Sequence, residues 1–152
     1  MPSLRWFLVA AAVVAVDQAS KAWLMAVFDR GESLAVTPFF NLVFVFNSGA
    51  AFSFLAGEGG WQRWFFVLLA LVVSVVIAGV LRRERPRLEA LSLALILGGA
   101  LGNVIDRLRF GAVADFLQFH AAGWYFPAFN AADSAITLGV ALMLWYHFKV
   151  AK

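Results

Sequence analysis

The stretch WFFVLLALVVSVVIAGVL, residues 64–81, contains no charged side chain. A helix needs about 20 mainly apolar residues to cross the hydrocarbon core of a bilayer. Helix is also the form in which one segment pairs its own backbone groups inside lipid. The stretch therefore predicts a transmembrane helix. Composition agrees, because 63% of the chain is hydrophobic and only 14% is charged, whereas soluble domains run near half and a quarter.

Three more segments have the same character, namely residues 6–28, 88–105 and 133–150. We therefore predict a single integral membrane domain over residues 1–152, mainly α, with four transmembrane helices. Arg5 and the apolar residues up to Val16 also resemble a cleavable signal peptide. The small-x-small cleavage pattern is poor there, and three further spans follow, so the first segment is interpreted as a span.

Basic residues set the expected orientation of the spans. Seven of the twelve lie before the first span, between spans two and three, or after span four: Arg5, Arg82, Arg83, Arg85, Arg87, Lys149 and Lys152. The positive-inside rule then places both termini in the cytoplasm. Residues 29–63 and 108–132 become extracytoplasmic.

The two extracytoplasmic segments each contain a run typical of a strand. Residues 39–46 are apolar, aromatic and rich in valine, as strands are, and residues 113–119 are another short strand candidate. We predict a small extracytoplasmic β platform on the membrane surface. Four aromatic residues are candidates for headgroup anchors, and their interpretation as simple belt residues or as substrate contacts stays open: Trp61, Trp64, Trp124 and Tyr125.

Polar residues inside the spans need a partner or a purpose, since a charge at a helix centre costs about 2.5–3.5 kcal/mol. Asp17 and Lys21 share a helix face at i and i+4. They form either a structural ion pair or part of a site. Asn103, Asp106 and Arg107 share a face near the end of span three, where Arg107 has the alternative of snorkelling to the headgroups.

Asp115 lies in an apolar setting, and Asp133 opens span four after Asn130. The predicted topology puts both at the outer edge of the bilayer. Two adjacent carboxylates in a low-dielectric site tend to share one proton. One can then act as a base on water while the other polarises a carbonyl group. The alternative role of Asp133 is a helix N-cap.

Other chemistries have little support in the sequence. The chain has no cysteine and two histidines, His120 and His147, and it lacks the H-E-x-x-H, G-x-S-x-G, phosphate-loop and dinucleotide motifs. No basic stripe for nucleic acid is visible. Two non-peptidase alternatives remain: a proton-coupled transporter using Asp17, Lys21 and Asp106, and an assembly factor packed through Gly98 and Gly102.

Five short motifs, in order along the chain, resemble those of the lipoprotein signal peptidases, the type II signal peptidases of bacteria. They are Asp17-Gln18-Ala19-Ser20-Lys21, Asn47-Ser48-Gly49-Ala50-Ala51-Phe52, Gly102-Asn103-Val104-Ile105-Asp106-Arg107, Val113-Ala114-Asp115-Phe116 and Phe129-Asn130-Ala131-Ala132-Asp133. The resemblance spans essentially the whole chain.

This resemblance implies an aspartic endopeptidase without metal or cofactor, with Asp115 and Asp133 as the catalytic pair. It implies that eight residues bind substrate or support the site: Asp17, Lys21, Asn47, Gly49, Asn103, Asp106, Arg107 and Asn130. The implied substrate is a diacylglyceryl prolipoprotein, cut just before its lipidated cysteine. The implied surroundings are membrane lipid of the bacterial cytoplasmic (inner) membrane, with the active site at the periplasmic face. Peptide antibiotics such as globomycin are the implied inhibitors.

Overall fold

The computed structural model describes residues 4–49 and 60–150, which form four long helices and four strands. The helices are α1 (Leu4–Val27), α2 (Trp61–Leu81), α3 (Arg87–Phe110) and α4 (Ala131–Val150). Among the described residues, three helices are long and apolar enough to cross a membrane, namely α1, α2 and α3. The predicted helical segments are thus confirmed as helices. All four helices begin before the predicted bounds, and α3 also continues past residue 105 to Phe110.

The strands form one antiparallel sheet in the order β1-β2-β3-β4, with β1 (Ser33–Thr37), β2 (Phe40–Asn47), β3 (Val113–Ala121) and β4 (Trp124–Tyr125). The two predicted strands, residues 39–46 and 113–119, are confirmed as β2 and β3. The two outer strands were not predicted, because they are short and mostly exposed. In the chain, strands come directly after the C-terminal ends of α1 and α3, so the sheet lies at that end of the two helices. A site between the sheet and the helices can therefore form only at this end.

Helix α3 is the centre of the bundle and packs against α1, α2 and α4. Glycines make two of these approaches possible. A Cβ built on Gly98 would lie 2.6 Å from the Ala10 carbonyl oxygen of α1, and one on Gly99 would overlap the Ala132 carbonyl oxygen of α4. Small residues let helix backbones approach closely. The spacing of Gly98 and Gly102 predicts a face for close helix contact. Gly98 makes such a contact with α1, and the neighbouring Gly99 makes one with α4.

The four candidate anchor residues are more than half exposed: Trp61, Trp64, Trp124 and Tyr125. Parts of the predicted motif and platform, residues 50–59 with Ala50, Ala51 and Phe52, lie outside the described residues, as does Lys152.

Candidate active site

A cavity of about 760 Å³ opens where the sheet meets the ends of α3 and α4. Asp115 and Asp133 both line it, although they are distant in the sequence and come from different elements. Of the predicted supporting residues, four line the same cavity: Asn47, Gly49, Asn103 and Arg107. Apolar groups form much of the remaining wall, including Phe126, Pro127, Ile136 and Leu138. The cavity thus combines two carboxylates with an apolar surface, the usual composition of a ligand site.

Asp115 reaches the cavity from β3 and is only 2% exposed. The Asn130 side-chain amide donates to its Oδ1 at 2.7 Å. Burial, followed by the Asp133 carboxylate, raises the pKa of Asp115 to about 7, although hydrogen bonds from Asn130 and Asn47 act in the opposite direction. A carboxyl group in this state holds its proton near neutral pH.

Asp133 is the third residue of α4 rather than its cap, so the N-cap interpretation was wrong. Asn130 directly precedes the helix. Its Oδ1 accepts from the Asp133 N–H at 2.9 Å, while Asp133 Oδ2 accepts from the Asn130 N–H at 3.3 Å. This reciprocal pair is a capping box. The other carboxylate oxygen, Oδ1, accepts from the Asn103 side chain at 2.8 Å.

Two asparagines connect the two aspartates. Asn103 is bonded to Asp133 and Asn130 to Asp115, and the Asn130 amide also donates to Asn103 Oδ1 at 3.3 Å. Asn130 is fully buried, and the same amide lies 3.3 Å from the Ala114 carbonyl oxygen. The amides therefore hold both carboxylates in position without bringing a further charge to them.

Asp17, Lys21 and Asp106 do not line the cavity but form a buried ionic cluster. Lys21 Nζ lies 2.8 Å from Asp17 Oδ2 and 2.8 Å from Asp106 Oδ2. All three residues are at most 1% exposed. Lys21 also donates to Asn103 Oδ1 at 3.3 Å, so the cluster contacts one of the asparagines that hold the aspartates. This geometry favours a structural ion pair for Asp17 and Lys21 over a direct role in the site.

The ionic cluster also binds the backbone around the site. Asp17 Oδ1 accepts from the Ala132 N–H at 3.0 Å, next to Asp133, and Asp106 Oδ2 accepts from the Ala114 N–H at 3.1 Å, next to Asp115. Each candidate aspartate therefore follows a residue whose backbone is fixed by the cluster.

Gln18 belongs to this cluster, and sequence reasoning did not assign it to the site. Its side-chain amide donates to Asp106 Oδ1 at 2.9 Å and to Asp17 Oδ2 at 3.1 Å. The sequence did contain one sign of this role, since Gln18 is a polar side chain next to Asp17 in a largely apolar span. Gly102 makes room for the cluster, because a Cβ there would lie 2.6 Å from Asp17 Oδ2.

Arg107 points into the protein, so the snorkelling interpretation was wrong. It is 8% exposed, and its Nη2 donates to the Gly49 carbonyl oxygen at 3.0 Å. Its guanidinium carbon lies 5.1 Å from the centre of the Phe66 ring, within the range of a cation–π contact. The Gly49 N–H in turn donates to Asn47 Oδ1 at 3.0 Å. Arg107 thus attaches the end of β2 to α3 at the wall of the cavity.

Comparison with known proteins identifies the family. The family model described as signal peptidase (SPase) II matches residues 9–149. A lipoprotein signal peptidase from Azoarcus sp. (strain BH72) is 54% identical over 150 residues, covering 98% of this chain and 85% of that protein. One from Burkholderia vietnamiensis (strain G4 / LMG 22486) is 55% identical over 141 residues, with 92% and 85% covered.

Two solved structures share the fold, and both are described as bacterial membrane enzymes studied by the in meso method. The first, at 2.3 Å resolution, has a TM-score of 0.87 and 31% identity, covering 97% of this chain and 90% of that chain. The second, at 1.9 Å resolution, has a TM-score of 0.82 and 32% identity, covering 95% and 93%. With a family model matched along almost its whole length and relatives more than half identical, the chain belongs to the signal peptidase II family.

Proposed function

We propose that this chain is an aspartic endopeptidase in which Asp115 and Asp133 activate one water molecule. As a signal peptidase II, it removes signal peptides from prolipoproteins. The observation that carries the proposal is the shared cavity, in which two carboxylates from β3 and α4 meet beside an apolar wall. The transporter and assembly-factor interpretations are set aside by the family.

The proposed substrate is a diacylglyceryl prolipoprotein, cut just before the lipidated cysteine. The mixed lining of the cavity supports this choice. Polar groups at Asn47, Asn103 and Arg107 suit a peptide backbone, and Ile136, Leu138 and Ala141 suit acyl or apolar segments. Membrane lipid surrounds the enzyme, and peptide antibiotics such as globomycin are the proposed inhibitors of this cavity.

In the proposed mechanism the two aspartates share one proton, and Asp115 carries it. Its deeper burial supports this assignment, since Asp115 is 2% exposed whereas Asp133 is only partly buried. Ionised Asp133 takes a proton from water, whose oxygen attacks the scissile carbonyl carbon while protonated Asp115 donates to the carbonyl oxygen. When the C–N bond breaks, Asp133 gives its proton to the leaving amine of the cysteine. Asp115 takes back a hydroxyl proton from the intermediate, so that the new carboxyl group forms and both aspartates return to their starting state. Proton transfer by a positioned side chain typically raises the reaction rate by about 10²–10⁴-fold.

The proposed topology has four transmembrane helices, with α4 as the fourth span and both termini in the cytoplasm. The extracytoplasmic segments then carry the sheet, and the active site lies at the periplasmic face of the bacterial inner membrane. The arginines between α2 and α3 support this orientation. A substrate anchored by its lipid would reach the carboxylates at the depth where the bilayer ends.

The catalytic pair is tested by replacing each aspartate with its uncharged isostere in the purified enzyme. We expect Asp115→Asn and Asp133→Asn each to lower prolipoprotein cleavage by at least about 10²-fold, because neither asparagine can exchange the proton that the reaction moves. Cleavage is measured by the release of signal peptide from a diacylglyceryl prolipoprotein, and folding by the thermal unfolding midpoint.

Asp29→Asn is the matched control, since Asp29 is exposed in the turn before β1 and lies outside the cavity. This variant should cleave at the parental rate. Parental turnover in a folded Asp115→Asn or Asp133→Asn protein would remove that residue from the catalytic pair.

A further inference from the structure

A second cavity lies at the opposite end of the helices from the carboxylates. Its volume is about 330 Å³, and it is lined by Arg5, Trp6, Arg83, Glu84, Arg85 and Arg87, together with Pro86. Arg5 and Trp6 come from α1, and the others come from the turn after α2 and the start of α3. From Arg5 to Lys21 the rise of α1 is roughly 24 Å. None of these residues lines the cavity of the two aspartates.

Positive charge in this second cavity exceeds the negative charge available to balance it. Four guanidinium groups face one lining carboxylate, that of Glu84. Among the described residues, one ion pair is formed at this end, between Arg85 Nη1 and Glu89 Oε1 at 3.4 Å. That distance is long, and both residues are accessible to water, so the pair neutralises little. The remaining arginines repel each other unless an anion lies between them.

The base of the second cavity is apolar and rigid. Trp6 lines the cavity and also packs against a buried cluster formed by Ala10, Ile77, Leu81, Ala90 and Leu97. The Arg5 guanidinium lies 4.7 Å above the Trp6 ring, within the range of a cation–π contact. The cluster joins α1, α2 and α3, so it holds the arginines from separate elements around one space.

We propose that this cavity binds the phosphate of an anionic phospholipid headgroup. Guanidinium groups bind phosphate oxygens through paired, charge-assisted hydrogen bonds. The location supports a lipid as the source of the phosphate, because the cavity lies at the end of three apolar helices and Arg5 is flanked by the exposed side chains of Leu4 and Leu8. The acyl chains of the lipid would continue along the apolar helix surface.

An anionic headgroup fits this cavity better than a zwitterionic one. Phosphatidylcholine also carries a phosphate, but its quaternary ammonium group would add a further positive charge beside the four arginines. Phosphatidylglycerol carries the phosphate charge alone. The inference rests on the membrane orientation proposed above, and it is independent of the aspartate mechanism.

Lipid retention by the purified full-length protein tests this site directly. The protein is equilibrated with equimolar phosphatidylglycerol and phosphatidylcholine, and the retained lipid is counted by native mass spectrometry. The parent should retain phosphatidylglycerol selectively. Arg5→Gln combined with Arg83→Gln should weaken that retention roughly 30-fold, because each arginine near an anionic lipid surface strengthens binding about 5-fold. Should the double variant not fold, Arg83→Gln alone should weaken it about 5-fold.

The matched control removes two exposed arginines from the opposite end, Arg30→Gln with Arg109→Gln. Both also lie over aromatic rings, those of Phe46 and Phe110. This control should retain the lipid as the parent does. Equal retention by the folded Arg5 and Arg83 double variant would overturn the proposal, and so would complete displacement of the lipid by millimolar inorganic phosphate. Because the measurement counts lipid, its failure would leave the cleavage mechanism untouched.

Discussion

Burial of a single carboxyl group, that of Asp115, couples protonation to folding. The pKa of this group is raised to about 7 in the folded protein, against about 3.9 in an unfolded chain. The folded state therefore holds a proton that the unfolded state releases. Between about pH 4 and pH 7 the stability contributed at this site falls as the pH rises, and it stays low above that range.

Asp115→Asn removes this pH dependence, because an amide of the same shape cannot ionise. We expect the variant to unfold at a higher temperature than the parent at pH 8, and at a temperature close to that of the parent at pH 4. Thermal unfolding of both proteins in the same detergent at the two pH values measures this. If the unfolding temperatures of variant and parent differed by the same amount at pH 4 and at pH 8, ionisation of Asp115 would not limit stability.

At the residue scale, the sequence drew attention to most of the polar side chains around the site but not to the backbone groups that bind them. Asp115, Asp133 and their asparagine neighbours stand out because polar groups are rare in so apolar a chain. Their catalytic and supporting roles stay predictions. The Ala132 N–H, which holds Asp17, has no sequence signal, since any residue supplies an amide. Gln18 was missed because its purpose depends on Asp106, which lies far away in the sequence.

At the scale of elements, the contact between α3 and α4 depends on the absence of one side chain. A Cβ on Gly99 would overlap the Ala132 carbonyl oxygen and would lie 2.7 Å from Ile136 Cγ1. Gly99→Ala should therefore move the start of α4, destabilise the protein by about 1–3 kcal/mol and reduce cleavage, because Asp133 follows Ala132. Thermal unfolding and prolipoprotein cleavage measure the two effects.

Gly79→Ala is the matched control within α2, where an added Cβ would meet nothing within 4 Å. This variant should be as stable as the parent or more stable by about 0.5–1 kcal/mol, since alanine favours helix. If both alanine variants behaved alike in stability and cleavage, close packing at Gly99 would not position the site.

Elements with a strong repeating signal were predictable, and those without one were not. The long apolar runs predicted the helices, the valine and aromatic run of residues 39–46 predicted β2, and a short strand candidate at residues 113–119 predicted β3. β1 and β4 have few residues and gain their hydrogen bonds from neighbours that the local sequence does not reveal. The spacing of Gly98 and Gly102 predicted a close helix contact without naming its partner, whereas the Gly99 contact with α4 depends on how three helices pack together.

At the scale of the whole molecule, the proposed four-span topology can be tested by labelling, because the chain contains no cysteine of its own. A single cysteine introduced as Ala121→Cys, at the end of β3, should react with a membrane-impermeant maleimide in cells with a permeabilised outer membrane. Glu84→Cys and Lys149→Cys should stay unlabelled, since both positions are then cytoplasmic. All three positions are exposed.

Disruption of the inner membrane provides the control, because all three cysteines should then react. Labelling of Lys149→Cys in intact spheroplasts would place the end of α4 outside and would leave the protein with three spans. Labelling of Glu84→Cys alongside protection of Ala121→Cys would invert the orientation altogether.

The hydrogen bond from Ala132 to Asp17 has a consequence for biosynthesis. Asp17 enters the bilayer early in translation with Lys21 as its nearby partner, whereas Asp106 and Ala132 emerge from the ribosome near the end. Until α3 and α4 are inserted, the ionic cluster lacks Asp106 and its hydrogen bond to the Ala132 backbone, and Asp133 does not yet exist. Under the proposed mechanism, a newly made chain would therefore stay inert until its last helix joins the first, and hydrolysis would not begin on a half-built enzyme.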